Sequence, residues 1–105
     1  MSYTPKTFFT TVTATAQNYT VPADTIAIIN NIAVQNNTAG ALTLSFGIMA
    51  SAGTMDNTNK IVSQSIPAGG FIEITGAIVA ETGSVLQLIA SGAGLACRVS
   101  GQVVT

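Results

Sequence analysis

The chain has 105 residues, which is enough for one domain around a single hydrophobic core. Charged residues make up 7% of it, against about a quarter in ordinary soluble domains, and the net charge is −1. Because Lys6, Lys60 and Arg98 lie far apart in the sequence, it contains no basic stripe that would bind nucleic acid or anionic lipid.

The predicted surface is neutral and polar. Thr, Ser, Asn and Gln together form a third of the chain and replace Lys and Glu as the groups that face water. Little charge is left to keep copies of the protein apart. This favours a protein that packs against copies of itself or against a larger assembly. The alternative is a neutral, Thr-rich β domain that is simply soluble.

Residues 1–16 are predicted to form either a first strand or an N-terminal arm. The run from Lys6 to Ala16 is dense in β-branched and aromatic residues, which suit a pleated surface. Strand alternation places Phe8 on the same side as Val12 and leaves Phe9 on the other side with a row of threonines. Phe8 and Phe9 are therefore candidate contacts with a neighbouring subunit or a larger assembly, through an arm that adds to the edge of another sheet. An ordinary first strand of the subunit's own sandwich is the alternative.

A short strand around Tyr19 ends in a turn at Pro22, and a central hairpin is predicted between Thr25 and Met49. Apolar residues recur at every second position on both sides of a polar break, Asn36 to Gly40, where Asn and Gly tolerate positive φ. Residues 50–60 lack any periodicity and are predicted to be the longest and most exposed loop. Its oxygen-rich stretch 56–59 could hold calcium, but it lacks the Gly and the closing Glu of a calcium loop.

The second half of the chain is predicted to contain a second hairpin across residues 61–75, a short piece at 77–80 and a strand at 85–90. Residues 92–94 are expected to form a hairpin turn before the final strand, 95–104. Cys97, the only cysteine, lies on the same strand face as Leu95 and Val99, so we expect a small buried hydrophobe and no disulfide.

The pattern predicts an all-β protein: a single antiparallel β-sandwich of about eight short strands, jelly-roll or immunoglobulin-like, spanning residues 1–105. No stretch has the 3.6-residue period of a helix. The predicted core consists of residues that alternate along these strands: Ile26, Ile28, Ile32, Val34, Leu42, Leu44, Phe46, Ile72, Ile74, Leu86, Leu88 and Val99.

An enzyme is not expected. Without histidine, and with its one cysteine in an apolar pattern, the chain lacks Ser-His-Asp, Cys-His and His-ligated metal sites. The four carboxylates, Asp24, Asp56, Glu73 and Glu81, are interpreted as solvated charges at turns and strands. No cofactor or metal is predicted. A secretory signal and an apolar membrane span are also missing from the pattern, so we expect neither export nor a membrane partner.

Several segments together resemble small virion proteins of tailed bacteriophages. They are Tyr19 to Ala23, a β-branched strand ending at Asn36-Asn37-Thr38, Ile66 to Gly70, and Glu81 to Leu86, followed by a closing strand. The resemblance covers Tyr19 to Thr105. Ser84 stands where such proteins commonly have Asp.

The resemblance implies a structural virion protein, assembled in the host cytoplasm, with a β-sandwich module and no catalytic residues. A capsid decoration (cement) protein that binds the outer head surface is the leading hypothesis, with the major capsid protein or other virion proteins as partners and a homotrimer as the expected form. A tail, neck or fibre accessory protein is the alternative within the virion. A carbohydrate-binding or adhesion module is the alternative from another class.

Overall fold

The computed structural model describes residues 2–51 and 53–105. Met1 and Ala52, which belong to the predicted arm and loop, lie outside the described residues. The rest forms eight strands: β1 (Tyr3–Val12), β2 (Gln17–Thr20), β3 (Ile26–Asn36), β4 (Leu42–Met49), β5 (Lys60–Ile66), β6 (Phe71–Ala80), β7 (Val85–Ala90) and β8 (Leu95–Val104).

The strands form two four-stranded sheets that pack as an open sandwich, which confirms the predicted all-β class. Sheet A has the order β1-β8-β3-β6 and sheet B the order β2-β7-β4-β5, with every pair antiparallel. The first strand pairs with the last, the second with the seventh, and so on inward to the β4–β5 pair. This is the strand order of a jelly roll, in which one long antiparallel ribbon is rolled into two layers.

The predicted hairpins are wrong, because the tight turns cross between the sheets. The central turn, 36–40, connects β3 of sheet A to β4 of sheet B, and the turns at 67–70 and 92–94 also change sheets. Gly and Asn provide the same backbone freedom in a crossing as in a hairpin, so turn chemistry does not distinguish the two. The long connection between β4 and β5 is the one that joins neighbours within a sheet.

A bulge in β3 reverses the face to which its side chains point. Between Ile29 and Asn31 the strand advances two residues while β8 advances one, so Asn30 is the extra residue. The placement of Ile26 and Ile28 in the core is therefore wrong: Ile26 is 42% exposed, and Ile28 is half-buried on the outer face. The core-facing side chains of β3 are Ala27, Ile29, Ile32 and Val34.

Gly101 permits this bulge. A Cβ on Gly101 would collide with the carbonyl oxygen of Ile28 and come within 3.0 Å of the Asn30 nitrogen. The backbone of β3 thus bends into space that a side chain on β8 would fill. At the same level β6 carries its own bulge, with Gly76 at a φ of 145°.

The remaining predicted core is well placed. Ile32, Val34, Leu44, Phe46, Leu86, Leu88 and Val99 are all fully buried in one cluster. Leu42, Ile72 and Ile74 are half-buried and pack against it. The strand alternation in β4, β7 and β8 therefore faces the core as predicted.

The Asn36 side chain is fully buried and ties two sheet crossings together. Its Nδ2 donates to the carbonyl oxygens of Gly40 and Ile66, each at 2.9 Å. Its Oδ1 accepts from the backbone nitrogen of Thr38 at 2.9 Å and from the Thr38 hydroxyl at 2.6 Å. All four of its hydrogen-bonding positions are thus filled, as a buried amide requires.

We expect Leu44→Ala to lower the free energy of unfolding by about 2–5 kcal/mol, because it removes a fully buried side chain and leaves a cavity between the sheets. Urea denaturation measures the loss. A decrease below roughly half a kcal/mol would contradict the burial of this position.

Asn36→Asp should destabilise the protein by about 2–4 kcal/mol, because a carboxylate cannot donate to the carbonyl oxygens of Gly40 and Ile66 and its charge would be buried against them. The matched control is Asn37→Asp, one residue along on an exposed side chain, which should leave the urea midpoint nearly unchanged. Equal losses of stability in both variants would mean that the Asn36 side chain does not hold the two crossings together.

Candidate contact surface

One end of the outer face of sheet A is apolar and exposed. Direct cross-strand pairing places Tyr3 beside Val104 and Val104 beside Ile26 in one row. The next row contains Pro5, Gln102, Ile28 and Val79. Tyr3 is 60% exposed and Val79 57%. We call these seven residues the apolar patch; contiguous apolar surface of this kind marks sites of contact with other molecules.

No charged side chain belongs to the apolar patch. Lys6 follows Pro5 in sequence, but it points toward the opposite side of the sheet. Its ammonium nitrogen lies 5.1 Å from the centre of the Tyr19 ring in β2. A partner can therefore cover the patch without burying an unpaired charge, which would be costly.

Phe8 and Phe9, the predicted contact residues, both lie in the subunit's own core. They are only 9% and 5% exposed, and Phe8 packs edge-on against Tyr19 with 5.2 Å between the ring centroids. The outward placement of Phe9 is wrong because a bulge between Thr7 and Phe9 turns two consecutive side chains to the same face. In this fold β1 is the ordinary first strand of its own sandwich, and neither ring is available at the surface.

The sequence contains a signal for the apolar patch that simple alternation misses. Ile26-Ala27-Ile28-Ile29 is an unbroken apolar run, and Val103-Val104 is a shorter one. A strand that is apolar on both faces needs cover on both. The core covers Ala27 and Ile29, which leaves Ile26 and Ile28 on the outer face.

Apart from Phe71, which is 57% exposed at the start of β6, the rest of the outer face of sheet A is mostly polar. Beyond the bulges it presents Arg98, Gln35 and Glu73, whose carboxylate accepts a 3.0 Å hydrogen bond from Asn31 Nδ2. Along the bulges runs an open depression of about 460 Å³, lined by Pro5, Lys6, Thr7, Asn30, Ser100 and Gly101. It is too open to enclose a small ligand, because ligand sites bury most of the ligand surface.

The loop between β4 and β5 covers part of sheet B. Gln87 is 4% exposed although it points away from the core, and its Nε2 donates to Asn18 Oδ1 and to the Gly53 carbonyl, each at 2.9 Å. A Cβ on Gly47 would lie 2.7 Å from Met55 Sδ, so the loop rests directly on the strand. The outer side of the loop is exposed as predicted, while its inner side occupies the outer face of sheet B.

The stretch Asp56 to Asn59 is a self-contained turn. One Asp56 carboxylate oxygen accepts from the Thr58 hydroxyl at 2.5 Å and from the Thr58 backbone nitrogen at 2.8 Å. These bonds favour the ionised carboxyl and hold the pKa of Asp56 below its ordinary value. Among residues 2–51 and 53–105, no three acidic or cysteine side chains cluster closely enough to bind a metal ion.

Cys97 is buried, as predicted, beside Leu95 and Val99. Burial raises the pKa of its thiol, with Arg98 opposing the shift in part. A neutral, enclosed thiol is a poor nucleophile.

No known family model matches the chain. A search of curated proteins likewise finds none that matches it. None of the described residues form a helix that is long and apolar enough to cross a membrane.

Thr58→Val should raise the pKa of Asp56 toward its ordinary value, because it removes the hydroxyl donor and keeps the backbone donor. Since that pKa is lowered on folding, the turn's contribution to stability is present above the unfolded pKa and is lost as pH falls through the folded one. An NMR titration of the Asp56 carboxyl measures the shift. Thr54→Val, in the same loop, is the control that should leave it unchanged.

Proposed function

We propose that this chain is a structural virion protein of a tailed bacteriophage, a capsid decoration protein that binds the outer surface of the head and stabilises the shell. The observation that carries the proposal is the uncharged apolar patch on the outer face of sheet A. The resemblance of residues 19–105 to such virion proteins provides the identity of the partner, the major capsid protein or another virion protein.

Packing favours sheet A as the face that meets the shell. The outer face of sheet B is already occupied in part by its own loop, through Gln87 and Gly47. None of residues 2–51 and 53–105 forms such a cover over Tyr3, Ile26 and Val79 on sheet A. A sandwich with a buried core is also rigid, so little conformational entropy is lost when this face docks.

The size of the apolar patch sets the expected strength of binding. It exposes on the order of a few hundred Å², whereas a standard interface buries about 800 Å² per partner. A single copy should therefore bind weakly unless polar neighbours add to the contact. Copies that associate with one another would gain avidity on a repetitive shell.

Self-association is part of the proposal because seven charged residues do little to keep copies apart. That the assembly is a homotrimer is implied by the resemblance alone. The role proposed is non-enzymatic and needs no cofactor, nucleic acid or membrane, and the protein would be found in virions assembled in the host cytoplasm. A tail, neck or fibre accessory protein would use the same face against a different virion protein.

A carbohydrate-binding role is less well supported by the arrangement of aromatic residues. Sugar sites stack rings on exposed aromatic side chains, and here the most exposed are Tyr3 and Phe71. Tyr3 is level with Ile26 at one end of β3, while Phe71 pairs with Gln35 at the other. Roughly 25–30 Å of strand separates the two levels, too far for one sugar ring.

Phage heads that lack this protein can be prepared from a mutant phage in which its gene is deleted. The purified protein should co-sediment with these heads. Ile26→Lys places a charge in the apolar patch and should weaken binding tenfold or more without unfolding the protein, because the side chain is already exposed. Thr43→Lys, on exposed sheet B surface, is the matched control and should bind like the wild type.

Gold-labelled antibody against the chain locates it on intact virions. Label over the head supports the proposal. Label confined to the tail would show a tail accessory protein instead of a decoration protein. Absence of the chain from purified virions would overturn the virion proposal altogether.

A further inference from the structure

The outer face of sheet A is apolar at both of its ends. Among residues 2–51 and 53–105, four of the five exposed large apolar side chains lie on this face. Tyr3, Ile26 and Val79 belong to the apolar patch at one end, and Phe71 lies at the other end, where it pairs with Gln35. A partner that covers the patch alone leaves Phe71 in water. A partner that covers both ends must extend along the whole face.

β3 runs along the middle of the contact area, because it lies between β8 and β6 in sheet A. Four of its outward residues each pair directly with one residue of β8 and one of β6. The four rows, each given in the order β8, β3, β6, are Gln102, Ile28 and Val79; Ser100, Asn31 and Thr75; Arg98, Ala33 and Glu73; and Ala96, Gln35 and Phe71. A two-fold rotation about an axis parallel to β3 exchanges the β8 side with the β6 side and keeps every row at its own level.

The charged residues of these rows lie on opposite sides of β3. Arg98 of β8 and Glu73 of β6 both pair with Ala33, whose small side chain lies between them. A second copy laid on the face by this rotation places its Glu73 opposite Arg98 and its Arg98 opposite Glu73. Packed sheets lie about 10 Å apart, a gap that an arginine and a glutamate side chain span together. Two ion pairs would therefore fix the orientation of the second copy.

The apolar rows fit the same arrangement. Phe71 lies opposite Ala96 of the partner subunit, so a large ring faces a methyl group. Ile28 lies on the axis, opposite the partner's Ile28, and Val79 lies beside it, opposite the partner's Gln102. Both apolar ends of the face are thus covered by one contact, which removes their exposed side chains from water.

The bulges also match across this axis. β6 has two extra residues, Gly76 and Ala77, at the level where β8 continues directly from Ser100 to Gly101. The extra residues are exposed. On the other side of β3, Ser100 and Gly101 line the open depression of about 460 Å³. The rotation brings the extra residues of one copy over the depression of the other.

The shape and size of the face suit a second copy. A two-fold rotation about the strand direction preserves the sense of the sheet twist, so the two twisted faces stay parallel along their length. β3 is eleven residues long, and the three strands β8, β3 and β6 overlap. Each copy therefore contributes roughly 500 Å² of flat area, and the pair buries on the order of 1,200 Å². This is the lower end of the range for specific interfaces, so the dimer should dissociate readily.

We propose that two copies of this chain associate face to face through sheet A, about a two-fold axis parallel to β3. The pairing rests on the charges and side-chain sizes of the four rows and does not depend on the virion role. A two-fold contact is self-complementary and closes at two copies. The free protein is therefore a dimer, in place of the homotrimer that the resemblance implies.

The dimer uses part of the face that the proposed function assigns to the shell. Ile26, Ile28 and Val79 cannot contact a second copy and the shell at once. A copy must therefore leave its partner before it docks, and association that adds avidity on the shell must use another surface. In the free protein the dimer keeps these three side chains out of water.

Light scattering after size exclusion tests the pairing. The wild type should have twice the 10.6 kDa mass of the chain at tens of micromolar. Arg98→Glu and Glu73→Arg should each give monomers, because each places like charges opposite one another across the contact. The double variant should restore the dimer, since opposite charges then face each other again. Circular dichroism confirms folding, which substitutions at these exposed positions should not affect.

Sedimentation equilibrium tests the apolar end of the contact. Phe71→Ala should raise the dissociation constant of the dimer about fivefold or more. Ile61→Ala is the matched control, since Ile61 is 50% exposed on sheet B and should leave the constant unchanged.

Four results would overturn the proposal: a monomeric wild type, a mass of three chains, a double variant that stays monomeric, or equal effects of Phe71→Ala and Ile61→Ala. Because these masses are measured without phage heads, they are independent of the co-sedimentation experiment. A wild type that forms the dimer but does not bind heads would support the pairing and count against the virion role alone.

Discussion

The buried amide of Asn36 fixes how the two layers meet. It lies at the end of β3 in sheet A and donates to Ile66 at the end of β5 in sheet B. The backbone nitrogen of the same residue donates to Gly70 at 2.8 Å, and its carbonyl accepts from Gly69 at 3.0 Å. One residue thus connects the crossing from β3 to β4 with the crossing from β5 to β6. These bonds hold the two layers together at this end of the sandwich, and the packed core side chains fill the space between them.

The sequence predicts the class of the fold better than its connections. Alternation in β4, β7 and β8 identifies the core because these strands face it without interruption. The bulges in β1 and β3 depend on contacts with β8, such as the space left by Gly101 beside Ile28. A local pattern carries no information about a neighbour that is 70 residues away in the chain.

The sequence predicts the candidate contact surface less well than the core, for the same reason. Phe8 and Phe9 are conspicuous in the sequence, yet one unpaired position in β1 turns both inward. Ile26 looks like a core residue until the extra position at Asn30 turns it outward. Each bulge therefore changes which side chains of its strand are buried and which are exposed. The surface available to a partner depends on these bulges rather than on the composition of the strands.

The jelly-roll pairing of the strands constrains the order in which the chain folds. Among strands that pair with each other, β4 and β5 have the shortest connection, residues 50–59, while β1 and β8 can pair only after nearly the whole chain has been brought together. Closing larger loops costs more entropy, so we expect folding to begin at the β4–β5 tip and to proceed outward, slowly for a chain of this size. The last step joins Ser2 to Thr105 through a reciprocal pair of backbone hydrogen bonds of 2.8 and 3.0 Å. During synthesis, β1 is made before β8, so the nascent chain carries an unpaired, Thr-rich strand until β8 has emerged from the ribosome.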